Sequence, residues 1–419
     1  MNQAFLDVMQ LFSHAAHGGA LPSLPQAPLA EIRETALMQG VWQHVFLALK
    51  PLYQSGRISV DAALFAKWDR QVTTTVAKHL QRKLAMYGYL SGLLQAGISC
   101  CVLKGDSVAR LYQNPDCRLS ADIDLLVDPS QEQAAAEFLR KEGFAVSGRT
   151  KEQHHVECTH PAVGTVELHH KLYDELFADS WFFQIPAIKE PFVQVSCGGI
   201  TFPTLGDTDN CLFLILHLVK HFLLGGISLR HVMDVLLFLA ACRETADFDR
   251  IRRVLSDMHY ETLLAVLCDI GVRYLGFSAD DFVFGGAKPE LSEKLLEDIC
   301  LGGTFGTGDA EREQFSHIYN EAFFKKYKQA DYETSFRAYH HQSGVRRLFP
   351  PKAQLIGQYR YLERRPYLLP VAWVQRMVRA AKGVLLRRRN VRSLVKVVPK
   401  EQTPGQKARM QLVRDLNML

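Results

Sequence analysis

The chain has 419 residues, a net charge of +5 at neutral pH, and a composition that is 47% hydrophobic and 22% charged. This length allows two or three domains, and the composition is that of an ordinary soluble protein. No apolar run reaches the length of a membrane span and no secretion signal is visible, so we expect a cytoplasmic location and no integral membrane segment. The nine cysteines show no paired spacing, which favours reduced thiols over a disulfide framework.

Charge is distributed unevenly along the chain. Residues 345–419 contain 18 Lys and Arg but 3 Asp and Glu, a net charge of +15, so residues 1–344 together carry −10. A basic tail on an acidic body predicts an anionic partner, either internal or external. We rank docking on the body or a solvated tail first, the anionic inner face of a membrane second, and nucleic acid third, because aromatic residues for base stacking are few.

Helical apolar spacing dominates residues 1–95. Apolar residues recur one turn apart, as in Leu37, Val41 and Val45, and a longer amphipathic pattern ends at Gly97. We therefore predict an N-terminal helical region.

The spacing of apolar residues changes over residues 96–205, from a helical period to short runs typical of strands. Short apolar runs that stop at glycine or proline predict strands, and polar-capped segments between them predict helices. In chain order these are a strand at 98–104, a helix at 106–113, a strand at 121–127, a helix at 129–144, and two strands at 154–160 and 164–170. This order predicts an α+β core, a small mixed β-sheet with helices.

Helical spacing returns after residue 205. Asp207 or Thr208 is placed to cap the first of these helices, and further helical patterns run to residue 345. We therefore predict a C-terminal helical domain over 206–345, followed by a basic, partly amphipathic tail over 346–419.

Two aspartates on one predicted strand need an explanation, because aspartate is depleted in strands and like charges repel. Alternate strand residues share a face, so Asp122 and Asp124 point together while Ile123 points into the core. The same parity places Glu167 and His169 on one face of a later strand. Grouped carboxylates are stable when cations lie between them, and their oxygens suit Mg²⁺ or Mn²⁺ together with substrate phosphates.

A turn suited to phosphate precedes these aspartates. Gly105 separates a predicted strand from a predicted helix, and a glycine there lets the backbone approach a ligand closely. The start of the helix, at Asp106 and Ser107, offers free N–H groups and a partial positive charge.

A phosphate turn, then Asp-x-Asp, then a third carboxylate on a later strand resembles the polymerase-β-like nucleotidyltransferase superfamily. The resemblance sharpens to a bacterial group of uncharacterised nucleotidyltransferases and covers about residues 30–245. Asp106 stands where the superfamily has Ser or Gly, so its carboxylate must be turned away from a bound triphosphate. The matching motifs are Leu103-Lys104-Gly105, Ala109, Leu111-Tyr112, Arg118, Asp122-Ile123-Asp124-Leu125-Leu126-Val127, Gly143-Phe144, Val166-Glu167-Leu168-His169, His217 and Lys220-His221.

The resemblance implies transfer of a nucleoside monophosphate from an NTP such as ATP to a hydroxyl of a small molecule or protein, with release of pyrophosphate. It assigns catalysis and the binding of two ions of Mg²⁺ or Mn²⁺ to Asp122, Asp124 and Glu167. The residues that it implies for nucleotide binding are Lys104, Gly105, Asp106, Ser107, Arg118 and His169.

Other interpretations of these residues stay open. The protein could be a non-catalytic nucleotide-binding adaptor on the same scaffold, recruited through its basic tail. An RNA-directed transferase is disfavoured, because the body around the site is acidic and would repel a polyanion. Arg118 could pair with Asp116 or another carboxylate instead of a phosphate.

The histidines have ordinary interpretations as well. Those between residues 154 and 170 lack zinc spacing and fall on both strand faces, with His155 or His169 nearest the pocket. His217 and His221 lie one helical turn apart, and we interpret them as a face that packs on the core, with Arg230 and Asp234 as an i, i+4 ion pair on the next helix.

Overall fold

The computed structural model forms two compact units, Met1–Glu313 with Ala408–Leu419, and Gln314–Lys407. None of the nine cysteines forms a disulfide, as predicted. The residues that the structure describes are 1–18, 21, 23–120, 122–147, 155–172, 187–303, 349, 352–355, 359, 361–385 and 404–418.

Four helices open the larger unit: α1 (Gln3–His17), α2 (Leu29–Met38), α3 (Trp42–Gln54) and α4 (Ala62–Gln95). The Asn2 side chain caps α1 and the Asp61 side chain caps α4, each by accepting a backbone N–H three residues later. The C-terminal half of α4 buries Met86, Leu90 and Leu93 against the sheet. The sequence therefore places helices before the sheet, as predicted.

A seven-stranded mixed sheet forms the core of the larger unit. Its order is β3-β4-β5-β2-β1-β7-β6, with β2 parallel to β5, β1 antiparallel to β2, and β1 parallel to β7. This sheet with its flanking helices confirms the predicted α+β fold class. The strands are β1 (Cys100–Leu103), β2 (Asp122–Val127), β3 (Ala145–Val146), β4 (His155–His160), β5 (Gly164–His169), β6 (Val193–Cys197) and β7 (Ile200–Thr204).

Strands β6 and β7 were not predicted, although the sequence carries a signal for them. They form an antiparallel hairpin across Gly198 and Gly199, both of which have positive φ. A two-residue Gly-Gly loop between runs with strand character is a strong hairpin signal, because such turns need a left-handed backbone.

Two helices lie between the strands of the core, α5 (Asp106–Ala109) and α6 (Glu132–Lys141), together with a 3₁₀ turn at Pro115–Cys117. Helix α5 is shorter than the predicted helix at 106–113. Its continuation is tightened into i→i+3 hydrogen bonds, such as that from the Tyr112 N–H to the Ala109 carbonyl.

The C-terminal helices of the larger unit are α7 (Asp207–Leu224), α8 (Leu229–Ala241), α9 (Phe248–Asp257), α10 (Glu261–Tyr274) and α11 (Pro289–Gly302). Helix α7 has no cap from its own Asp207 or Thr208. The Glu190 carboxylate instead accepts from the Thr208 and Asp209 N–H groups at 2.9 and 3.2 Å. A distant carboxylate thus satisfies the helix start and its dipole.

The smaller unit contains α12 (Lys352–Leu355), α13 (Tyr361–Arg364) and α14 (Leu369–Leu385), and α15 (Pro404–Asp415) leads back to the larger one. A small cluster of Leu355, Tyr359, Leu362 and Ala372 holds α12–α14 together. Among the described helices, none combines the length and hydropathy needed to cross a bilayer.

Candidate functional site

Three carboxylates converge from neighbouring strands. Strands β2 and β5 are paired in a register that sets Asp124 directly opposite Glu167. Asp122 lies two residues earlier on the same face, and oxygens of all three side chains come within 4.8 Å of one another. Leu125 and Leu168 point to the other face and are buried in the core. The structure therefore brings together the three residues that strand parity predicts on one face.

Two basic side chains contact these carboxylates. The Lys104 ammonium, at the end of β1, lies 3.1 Å from Asp124 and 3.8 Å from Asp122. His169 Nε2 lies 3.0 Å from Asp124 Oδ1 and 3.2 Å from Glu167 Oε2. A second imidazole, His155, lies 3.8 Å from the other oxygen of Glu167. The site thus contains acid and base groups within direct contact of each other.

The pKa values respond to this arrangement. Burial alone would raise the pKa of Asp124, but Lys104 and His169 outweigh it and hold that pKa well below its ordinary value. Burial would lower the pKa of Lys104, yet Asp124 and Asp122 raise it. Burial alone would lower the pKa of His169, but the carboxylates of Asp124 and Glu167 outweigh it and raise that pKa. The lowered pKa keeps the Asp124 carboxylate ionised at neutral pH, and an ionised oxygen is what a divalent cation requires.

The predicted phosphate turn has a left-handed backbone at two residues, Lys104 (φ +36°) and Gly105 (φ +53°). Lysine rarely adopts this conformation, at a cost of about 1 kcal/mol, and here its ion pairs with the two aspartates hold it. Gly105 borders a smaller cavity that also reaches Asp122 and Asp124. The next residue but one, Ser107, is fully buried, and its N–H already donates to the Lys104 carbonyl at 3.0 Å.

Asp106 is held by α4. Its Oδ2 accepts from the Tyr87 hydroxyl at 2.8 Å, and its Oδ1 lies 3.1 Å from the Lys83 ammonium. The charge that departs from the superfamily pattern is therefore neutralised locally.

Arg118 pairs with a carboxylate far along the chain. Its Nε and Nη2 donate to the two oxygens of Asp234 at 3.1 and 2.6 Å, and the Tyr112 hydroxyl donates to the first of these oxygens at 2.7 Å. Both charged side chains are buried. Of the two predicted interpretations, the contacts support pairing with another carboxylate, and the partner is Asp234, not Asp116.

A cleft of about 400 Å³ opens on the three carboxylates. Helices α7 and α8 form its opposite wall. The polar side chains of this wall are His217, Lys220, His221, Arg230, His231 and Asp234. Burial lowers the pKa of His221 to about 3 and that of His217 and His231 well below the ordinary value, so these rings are neutral at physiological pH.

Sequence reasoning did not predict that this wall lines the cleft. It assigned the α7 histidines to packing, and paired Arg230 with Asp234. In the structure the Asp234 carboxylate accepts hydrogen bonds from Arg118, while Arg230 Nη1 donates to the Leu119 carbonyl at 3.1 Å. The sequence does carry a signal for this wall: residues 217, 220 and 221 form a polar stripe, spaced i, i+3 and i+4, on a largely apolar helix. Polar groups on a buried helix face need hydrogen-bond partners or a cleft.

Comparison with known proteins gives one assignment. No curated protein and no solved structure matches the chain. Residues 31–276 match the model of a family described as uncharacterised nucleotidyltransferase. This span is more than half of the chain and includes the complete described sheet, the three carboxylates, and helices α7 and α8. The chain therefore belongs to this nucleotidyltransferase family, as the sequence motifs predict.

Proposed function

We propose that the protein is a metal-dependent nucleotidyltransferase that moves a nucleoside monophosphate from an NTP to a hydroxyl of a small-molecule or protein acceptor and releases pyrophosphate. The observation that carries this proposal is the convergence of Asp122, Asp124 and Glu167 at the mouth of a cleft, within the span that matches the family. The cleft volume, about 400 Å³, is in the range of small-molecule sites.

The donor set fits a hard divalent cation. Three carboxylates offer oxygens at mutually compatible distances, and Asp124 is almost completely buried, so its charge is weakly screened. We assign Asp122, Asp124 and Glu167 as the residues that would hold two ions of Mg²⁺ or Mn²⁺. Such ions, when bound, stabilise charge on the transferring phosphoryl group and lower the pKa of an attacking hydroxyl.

The other residues of the site would bind and orient the nucleotide. The Lys104 ammonium can pair with phosphate oxygens when it leaves the aspartates, and Gly105 allows close backbone approach. Asp106 does not oppose a triphosphate, because Lys83 and Tyr87 hold its carboxylate. His169 fixes the orientation of Asp124 and Glu167 through its Nε2.

The proposal is tested by incubating the protein with each of the four NTPs, labelled on the α-phosphate, with Mg²⁺ or Mn²⁺ and a panel of hydroxyl-bearing acceptors. Pyrophosphate release together with label on an acceptor, or on the protein itself, supports transfer. Nucleotide binding without turnover on any acceptor would instead support the adaptor interpretation.

Removing the Lys104 ammonium is expected to raise the affinity of the nucleotide-free protein for Mn²⁺ about tenfold, because this ammonium competes for the oxygens of Asp122 and Asp124. The variant Lys104→Met keeps the side-chain length without the charge. Free Mn²⁺ is measured by electron paramagnetic resonance during titration. Lys50→Met, which removes a lysine paired with Asp69, is the control and should leave the affinity unchanged. Equal or weaker binding in Lys104→Met would contradict the expectation.

We further propose that the basic tail contacts the anionic inner face of a membrane, which keeps the protein cytoplasmic but peripheral. Helix α14 exposes Val371, Val374, Met377 and Val378, which are between 41% and 55% accessible. Arg376 is exposed on the same helix. Apolar side chains beside basic ones suit the interface of an anionic bilayer.

The double variant Val374→Ser/Val378→Ser is expected to lower binding to anionic vesicles about fivefold, because it removes apolar contact with the bilayer. Binding is measured by co-sedimentation of the full chain with phosphatidylglycerol vesicles and with neutral vesicles. Val272→Ser/Val283→Ser, which alters two exposed valines of the larger unit, is the matched control. Equal sedimentation of all three proteins would remove the membrane proposal.

A further inference from the structure

Arg230 is a half-buried cation in an unusual position. It lies in the first turn of α8, and its side chain lines the wall of the cleft that faces the carboxylates. One donor is used, since Nη1 donates to the Leu119 carbonyl at 3.1 Å. Its Nε is buried without a hydrogen-bond partner. Among the described residues, no carboxylate lies within 4.0 Å of this guanidinium.

The nearest acidic group cannot supply the missing partner. Asp234 is on the same helix, but both of its oxygens already accept from Arg118, and one also accepts from Tyr112. The guanidinium of Arg118 is thus paired, whereas that of Arg230 has no carboxylate in contact. Burial, and then the charge of Arg118, lower the pKa of Arg230, and the charges of Asp234 and Asp122 oppose this shift.

A half-buried guanidinium with no carboxylate in contact is destabilising, and arginine does not lose its proton at physiological pH. Its planar fork of N–H donors matches the geometry of phosphate oxygens in a bidentate manner. Lys220 lies on the same wall, and the neighbouring imidazoles are neutral, so they offer hydrogen bonds without further charge. This chemistry selects an anion with several oxygens.

The geometry points to Arg230 as the centre of an anion-binding subsite for a phosphoryl group of a substrate, across the cleft from Asp122, Asp124 and Glu167. The inference rests on the proposed function, because it takes the anion to be part of a substrate of the transfer reaction. Two sources share this chemistry: the terminal phosphates of the NTP, and a phosphate ester on the acceptor.

The test is calorimetric titration of the full chain and of Arg230→Gln with pyrophosphate, with inorganic phosphate, and with non-reactive α,β-methylene analogues of the four NTPs. We expect Arg230→Gln to bind at least one of these probes about tenfold more weakly or worse, as for the loss of hydrogen bonds to a charged group. Arg243→Gln, just after α8 and paired with Glu244 on the surface, is the matched control and should bind like the natural protein.

The pattern of loss identifies the source of the phosphate. Weaker binding of pyrophosphate and of the NTP analogues places the triphosphate at Arg230. Weaker binding of inorganic phosphate alone, measured on protein saturated with an analogue, places an acceptor phosphate there. Equal affinity of the natural protein and Arg230→Gln for every probe would overturn the inference.

Two safeguards separate this result from other failures. First, thermal unfolding of each variant reports whether it folds. Second, Arg230→Lys keeps the charge but not the planar fork of donors. If Arg230→Gln unfolds, a folded Arg230→Lys protein should still bind the phosphate probes more weakly than the natural protein, because it loses the bidentate contact. Binding is measured without turnover. A failed transfer assay would therefore leave the subsite intact, and unchanged binding in both Arg230 variants would overturn the subsite with transfer intact.

Discussion

Replacing Asp124 with asparagine is expected to lower the rate of nucleotidyl transfer about a thousandfold, which corresponds to roughly 4 kcal/mol of transition-state stabilisation. Asp124 is the most buried of the three carboxylates, and it contacts both Lys104 and His169. Asparagine preserves the shape of the side chain but removes the ionised oxygen that a divalent cation needs. The Lys104 ammonium keeps Asp122 as a counter-charge, so we expect the variant to fold and the loss to come from the metal site.

Two measurements separate these causes. The transfer assay gives the rate, and Mn²⁺ titration of the nucleotide-free variant gives the metal affinity, which should fall together with it. Asp128→Asn is the matched control, because Asp128 is exposed immediately after β2 and its side chain accepts from Ser130. A variant Asp124→Asn that transfers nucleotide at the natural rate would refute the assignment of the acidic site.

Replacing Asp234 with asparagine is expected to destabilise the protein by about 3–5 kcal/mol at neutral pH, because it leaves the buried guanidinium of Arg118 without its counter-charge. The free energy of unfolding is measured by denaturant titration. Asp69→Asn, which breaks an exposed pair with Lys50, should cost less than about 1 kcal/mol.

The pH dependence of this effect has a definite sign. Burial alone would raise the pKa of Asp234, but Arg118 lowers it below the ordinary value. A carboxyl whose pKa is lower in the folded state contributes stability above its unfolded pKa, about 4, and loses that contribution as the pH falls through the folded pKa. The difference between the natural protein and Asp234→Asn should therefore be largest at neutral pH and shrink in acid. A difference that grows on acidification would contradict the ion-pair account.

The parts of the site that depend on local pattern could be predicted from the sequence. Strand parity alone places Asp122 with Asp124, and Glu167 with His169, on single faces. The Asp-x-Asp and Glu-x-His motifs then suggest that the two strands are neighbours, and the observed β2–β5 register agrees. The α+β class follows in the same way from a change of apolar period near residue 96.

The parts that depend on tertiary contact could not be predicted. Arg118 and Asp234 are separated by 116 positions, and nothing in either local segment favours this pair over Asp116 with Arg118 or Arg230 with Asp234. The wall formed by Lys220 and Arg230 depends on how α7 and α8 return to the sheet. A single sequence does not determine the angle at which these two helices pack on the sheet, because many helix-packing arrangements satisfy the same apolar spacing.

Helix α4 has a consequence for anyone who wishes to shorten this protein. Its last turns supply Lys83 and Tyr87 to the Asp106 carboxylate and Met86, Leu90 and Leu93 to the sheet. A fragment trimmed at residue 96, where the apolar period changes, would expose one side of the sheet and release an unbalanced negative charge beside the glycine turn. A fragment that keeps these contacts must therefore include the C-terminal half of α4, which packs as part of the sheet domain.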